Sequence, residues 1–151
     1  MPRDGFASTQ RRRDLRDLRE GGLERPREAS CVALTSRIIE LGIRVHRHLG
    51  RGLLEAIYEA CLCWEPRHDG IEHVRQAPLA VTYEDMRLAG AYRADIIVDK
   101  QVLLEIKAIE RILPVHEAQT LTYVRLGGCA VGLLMNFNCT MLKDGLRRMV
   151  Q

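Results

Sequence analysis

The sequence predicts an α/β domain in which a mixed sheet of about four strands is flanked by helices. Three observations lead there. Apolar residues recur at helical spacing from Ser30 to Trp64, whereas four segments beyond Gly70 read as strands separated by turn residues. A helical segment stands between the third and fourth of these strands. The resulting order, helix, helix, strand, strand, strand, helix, strand, helix, is that of a mixed sheet covered by helices. A length of 151 residues fits one domain, and 46% hydrophobic residues supply one core.

Residues 1–29 are expected to be a charged tail, disordered or partly helical, and residues 30–151 the folded domain. Residues 1–28 carry eight arginines and six acids but few large apolar side chains. Ser30 is the expected N-cap of a first helix reaching Leu49, with Leu34, Ile38, Leu41, Val45 and Leu49 as its buried stripe. Gly50-Arg51-Gly52 ends it. The second helix is predicted over Leu53–Trp64, with Leu54, Ile57, Cys61 and Trp64 on one stripe and Pro66 and Gly70 closing it. The strands are predicted at Ile71–Tyr83, bent at Pro78, then Arg87–Val98, Val102–Ile109 and Cys129–Phe137. Pro114 opens the intervening helix, Val115–Leu126, and Gly127-Gly128 closes it. Met141–Val150 is expected to form a short C-terminal helix.

The formal net charge is +3, of which the first 28 residues account for +2. Global charge is therefore a poor argument for a nucleic-acid partner, and a phosphate-binding surface must come from local clustering. No apolar run approaches the roughly 20 residues of a membrane span. The start, Met1-Pro2-Arg3-Asp4, does not read as a secretory signal, so a soluble, cytoplasmic protein is expected. The five cysteines are odd in number and lack a CxxC pair, which favours reduced, structural thiols.

The chemistry concentrates in Arg93-Ala94-Asp95-Ile96-Ile97-Val98 and Val102-Leu103-Leu104-Glu105-Ile106-Lys107. Strand alternation puts Glu105 and Lys107 on one face and Leu104 and Ile106 on the other. Pairing Val98 with Val102 sets Ile96 opposite Leu104 and Ala94 opposite Ile106, which makes an all-apolar face. The same register sets Asp95 opposite Glu105 and Arg93 opposite Lys107. Two facing carboxylates repel unless something intervenes. A divalent cation such as Mg²⁺, with Mn²⁺ as a substitute, is the natural remedy. Lys107 can then hold or polarise a water as nucleophile. The residues alone allow a second reading, a surface hairpin in which Arg93 and Lys107 pair off the acids.

Asp-x9-Glu-x-Lys on adjacent strands resembles the core of the PD-(D/E)xK nuclease superfamily, with its restriction-endonuclease-like fold. The longer pattern is similar to the small GxxExxY family within it. That signature is carried by Gly52-Leu53-Leu54-Glu55-Ala56-Ile57-Tyr58, then Arg93-Ala94-Asp95 and Glu105-Ile106-Lys107. His116-Glu117-Ala118-Gln119 through Tyr123 and Gly132-Leu133-Leu134-Met135-Asn136-Phe137-Asn138 complete it. The resemblance implies Asp95 and Glu105 as metal ligands, Lys107 as the catalytic lysine, and Glu55 as an additional acid from the first core helix. It also implies that Gln119 and Tyr123 form a Gln-xxx-Tyr motif beside the site, and their i,i+4 spacing puts both on one helix face. The segment Cys63–Asp69, with Pro66, departs from the family pattern, which touches the fine positioning of the cleft rather than the fold.

The function implied is metal-dependent phosphodiester hydrolysis of DNA or RNA. The alternative is a non-catalytic nucleic-acid-binding or protein-interaction module that keeps the fold. The sequence leaves open a homo-oligomer or a separate protein partner. Glu59 reads as a solvated acid, His46 and His48 as surface or cap residues, and Arg125, Arg147 and Arg148 as solvated charges.

Overall fold

The computed structural model describes residues 24–151, with side chains from Ser30 onward. The predicted tail thus falls outside the described residues as far as residue 23. Helix α1 spans Glu24–Leu49, so Ser30 lies within the helix and does not cap it. Pro26 stands in the first turn, where a missing N–H breaks no helical bond, and the Glu, Arg and Ala around it are good helix formers. The predicted stripe holds: Ile38, Leu41 and Val45 are buried, and Leu34 and Leu49 pack against the same core.

Helix α2 spans Glu55–His68 and passes through Pro66, where the sequence predicted its end. Proline removes one hydrogen bond near the last turn, and the buried ring packs in return. The buried stripe also differs from the expected one. Leu54, Ile57 and Trp64 are exposed, while Tyr58, Leu62 and Pro66, at i, i+4 and i+8, face inward together with Glu59. Tyr58 sets this rotation: its ring stacks on Phe137 at 4.4 Å and 18°, and an aromatic ring brings more buried area than Ile57 can. Its hydroxyl donates to the Gly50 carbonyl at 2.7 Å and accepts from the Leu53 amide at 3.2 Å. The α1–α2 connection, with Gly50 and Gly52 at positive φ, is thereby fastened to the core.

The sheet has five strands in the order β1 (His73–Tyr83), β2 (Met86–Val98), β3 (Val102–Lys107), β4 (Val131–Asn136) and β5 (Leu146–Val150). Only β3 and β4 are parallel, joined through helix α3 (Pro114–Gly127). Pro78 does not interrupt β1, because β1 is an edge strand with one side free of ladder bonds. The C-terminal segment is not a helix. A 3₁₀ turn, Leu142–Gly145, leads into β5, which pairs antiparallel with β4 from Val131↔Val150 to Met135↔Leu146. All six residues of β4 are buried, so leaving that strand as an edge would strand its backbone donors and acceptors.

Two apolar layers sandwich the sheet. On one side Ile38, Val45, Tyr58 and Leu62 of α1 and α2 meet Ile96, Leu104, Ile106, Leu133 and Met135. On the other, Tyr123 and Val124 of α3 meet Ala77, Leu79, Ala94 and Leu103. Gly132 permits the close seating of α3: a Cβ there would lie 2.5 Å from Val124 Cγ2.

Candidate active site

The β2–β3 register is the predicted one for Ile96↔Leu104, Ile97↔Leu103 and Val98↔Val102. Beyond Ile96 the ladder stops, and the two acids replace it. The Asp95 amide donates to Glu105 Oε1 at 3.2 Å, and the Ile106 amide donates to Asp95 Oδ2 at 2.7 Å. Each carboxylate thus binds backbone on the facing side, which holds the two strands apart around the acids. Ala94 departs from expectation. It belongs to the α3-side layer, with Leu103, and not to the layer of Ile96 and Ile106. The alternation of β2 is therefore broken at Asp95. The expected pairs Ala94–Ile106 and Arg93–Lys107 do not form.

Burial makes this pair of acids costly. Glu105 is 5% exposed, and its pKa is pushed up to about 8, first by desolvation and then by the charge of Asp95. Asp95 is also raised, by desolvation above all and further by Glu59 and Glu55, against the Ile106 hydrogen bond and Lys107, which pull it down. Among the described residues neither acid forms an ion pair. The surface-hairpin reading, with Arg93 and Lys107 neutralising exposed acids, does not describe this site.

The other candidate residues converge on the same place. Lys107, at the end of β3 opposite Asn136, acts favourably on both acids. Glu55, in the first turn of α2, accepts from the Ala108 amide at 3.3 Å, one residue past Lys107. On α3, Gln119 Nε2 donates to Tyr123 Oη at 2.9 Å. The Tyr123 phenol is held above its ordinary pKa by burial first and then by the charge of Glu105. Asn136 is buried and ties down the segment beyond Lys107: its Oδ1 accepts from the Ile109 amide at 3.0 Å and its Nδ2 donates to the Ile109 carbonyl at 2.9 Å. The start of α3 is set by a reciprocal pair, the Leu113 amide to His116 Nδ1 at 2.9 Å and the His116 amide to the Leu113 carbonyl at 3.0 Å.

Glu59 is not the solvated acid expected from the sequence. It is 7% exposed and accepts from Arg75 Nε at 2.6 Å and from Gln76 Nε2, 3.0 Å from each of its oxygens. Its i+4 relation to Glu55 on α2 is the sequence signal that would have found it. His46 is also buried and donates from Nε2 to the Cys139 carbonyl at 2.8 Å. A cavity of about 890 Å³ lies between α1 and α2, lined by Ile43, Arg44, Leu49, Cys61 and Trp64 among others, and none of the six candidate residues borders it. The chemistry, not the cavity, marks the site.

The acids suit a divalent cation. Asp95 Oδ1 and Glu105 Oε2 accept no hydrogen bond among the described residues, and hard oxygen donors are what Mg²⁺ selects. No group of three or more His, Cys, Asp or Glu side chains is placed as metal ligands among the described residues, so the protein would supply two carboxylates and water the rest. No helix among the described residues is long and apolar enough to cross a membrane.

Neither the comparison with curated proteins nor that with solved structures gave a match. A family model described as the PD-(D/E)XK nuclease superfamily matches residues 32–149. That match covers both facing acids, the lysine beyond them and the five-stranded sheet that carries them, and this chain belongs to the PD-(D/E)XK nuclease superfamily.

Proposed function

We propose that this protein is a metal-dependent nuclease that hydrolyses phosphodiester bonds in DNA or RNA, and that it falls in the GxxExxY group of the superfamily, with residues 30–151 as the working domain. The observation that carries the reading is the couple of buried Glu105 and half-buried Asp95, neither in an ion pair among the described residues, with Lys107 two residues beyond Glu105 on the same strand. Asp95 and Glu105 would hold Mg²⁺ or Mn²⁺, and the bound ion would supply Lewis-acid stabilisation of charge on the scissile phosphate. Lys107 orients the attacking water and offsets negative charge as the phosphorus becomes five-coordinate. Gln119 and Tyr123, coupled on α3, place the phosphodiester against the acids, and Glu55 fixes the backbone just past Lys107. The five free cysteines suit a reducing compartment, and the cytoplasm is the proposed location.

A non-catalytic nucleic-acid-binding or protein-interaction module that keeps the fold is the second reading. A cleavage assay on single- and double-stranded DNA and RNA with Mg²⁺ or Mn²⁺ separates the two. Under the nuclease reading Lys107→Ala lowers cleavage by about 100-fold or more and leaves metal binding in place, while Asp95→Asn weakens both. Intact substrates throughout, with the wild-type protein metal-loaded, would overturn the nuclease reading.

A further inference from the structure

Three features outside the proposed chemistry stand out: the α1–α2 cavity, the exposed apolar face of the β1–β2 hairpin tip, and the contact of buried Glu59 with exposed Gln76. The contact alone is bound by several independent observations to a site. Gln76 has φ +52°, in the left-handed region that a side chain with a Cβ rarely adopts. The β1–β2 ladder pairs Arg75 with Ile96 and Ala77 with Ala94 and passes over Gln76. The residue between Ala94 and Ile96 is Asp95, where the alternation of β2 breaks. Both strands therefore change phase at the same level of the sheet. There, the Gln76 amide group spans both oxygens of Glu59, and Arg75 Nε closes the contact at 2.6 Å.

We propose that Glu59 and Gln76 form a positioning clamp for Asp95. The buried carboxylate of Glu59, fixed on α2, holds the Gln76 side chain. Holding it keeps the Gln76 backbone left-handed, and the kink in β1 is matched by the break in β2 that turns Asp95 toward Glu105. Neither residue needs to touch metal or substrate. Rigid placement matters because the Asp95 carboxylate has to accept the Ile106 amide with one oxygen while the other stays free. Support of this kind for a ligating carboxylate is commonly worth 10- to 100-fold in metal affinity. The proposal rests on the reading of Asp95 and Glu105 as the metal-binding acids, but its geometry can be tested without metal.

The experiment compares the full chain with Glu59→Ala, Gln76→Gly and the double variant, by amide hydrogen exchange and by Mn²⁺ titration. Glu59→Ala leaves a left-handed glutamine unsupported, so Ile106 and Asp95 amides lose protection while Leu103 and Leu133 amides keep theirs. Glycine adopts positive φ freely, so Gln76→Gly alone has little effect, and adding it to Glu59→Ala restores the protection of both amides. Where Mn²⁺ binds the wild-type protein, affinity falls on the order of 10- to 100-fold in Glu59→Ala and recovers in the double variant. Unchanged Ile106 and Asp95 protection in Glu59→Ala overturns the clamp, as does failure of glycine to rescue it. Uniform loss of protection at all four amides also overturns it, since that is the mark of a merely structural residue. Absence of Mn²⁺ binding in the wild type would overturn the metal-site reading and leave the exchange result to decide the clamp.

Discussion

A buried and a half-buried carboxylate facing each other cannot both be comfortably ionised, and Glu105 is the more deeply buried of the two. Its ordinary pKa is 4.5 and its folded value is about 8. Between those limits the folded chain binds a proton that the unfolded chain has released. The metal-free protein is therefore most favoured below about pH 4.5 as far as this group is concerned, and it loses stability as pH rises to about 8. The slope is at most ~1.4 kcal/mol per pH unit for a single proton. Asp95 is raised as well and adds in the same direction. Saturating Mg²⁺ should flatten the dependence, because the ion takes the place of the proton. Urea midpoints at pH 5 and pH 8, in chelator and in Mg²⁺, measure it, and equal midpoints in chelator would contradict the assignment. At this scale the sequence was legible where alternation and register do the work, in the Ile96–Leu104 and Val98–Val102 pairs, and not in the break of alternation at Asp95, which no period-2 pattern announces. Glu59 was not, because an acid beside Tyr58 looks solvated until the helix rotates to bury that ring.

Elements place these residues by close approach, and Gly132 is where helix α3 and strand β4 meet most tightly. A methyl group there would lie 2.5 Å from Val124 Cγ2 and 3.3 Å from Thr120 Cγ2. Gly132→Ala must therefore lift the middle of α3, which carries Gln119 and Tyr123 on the same turns. The expected cost is about 1–3 kcal/mol, as for other overpacked contacts, read from the urea midpoint. Helix displacement should also weaken substrate placement more than metal binding, since Asp95 and Glu105 lie on other elements. The helices and the first four strands were legible from periodicity and from Gly and Pro punctuation. Strand β5 was not. Leu146-Arg147-Arg148-Met149-Val150 spaces its apolar residues for a helix turn as readily as for a strand, and the deciding fact is tertiary: the buried strand β4 has a side to be paired. Pro66 misled for the opposite reason, since a proline rule written for exposed helices omits the packing of a buried ring.

Over the whole molecule the sheet divides into parts that are near and far in sequence. Order and composition sufficed for the α/β class and for one core, because burying both faces of a sheet demands helices on each side. How the parts assemble in time follows from the hairpin described above. Asp95 and Glu105 are linked through backbone amides just beyond the short β2–β3 ladder, whereas Gln119, Tyr123 and Asn136 arrive only when α3 carries the chain over to parallel strand β4. Local pairings close with little entropy loss, and parallel crossovers come slowly. The two acids are thus brought together before the rest of their site. A cation bound between them would lower the barrier itself, so Mg²⁺ should quicken refolding as well as slow unfolding, and in chelator the same hairpin becomes the step at which the chain hesitates.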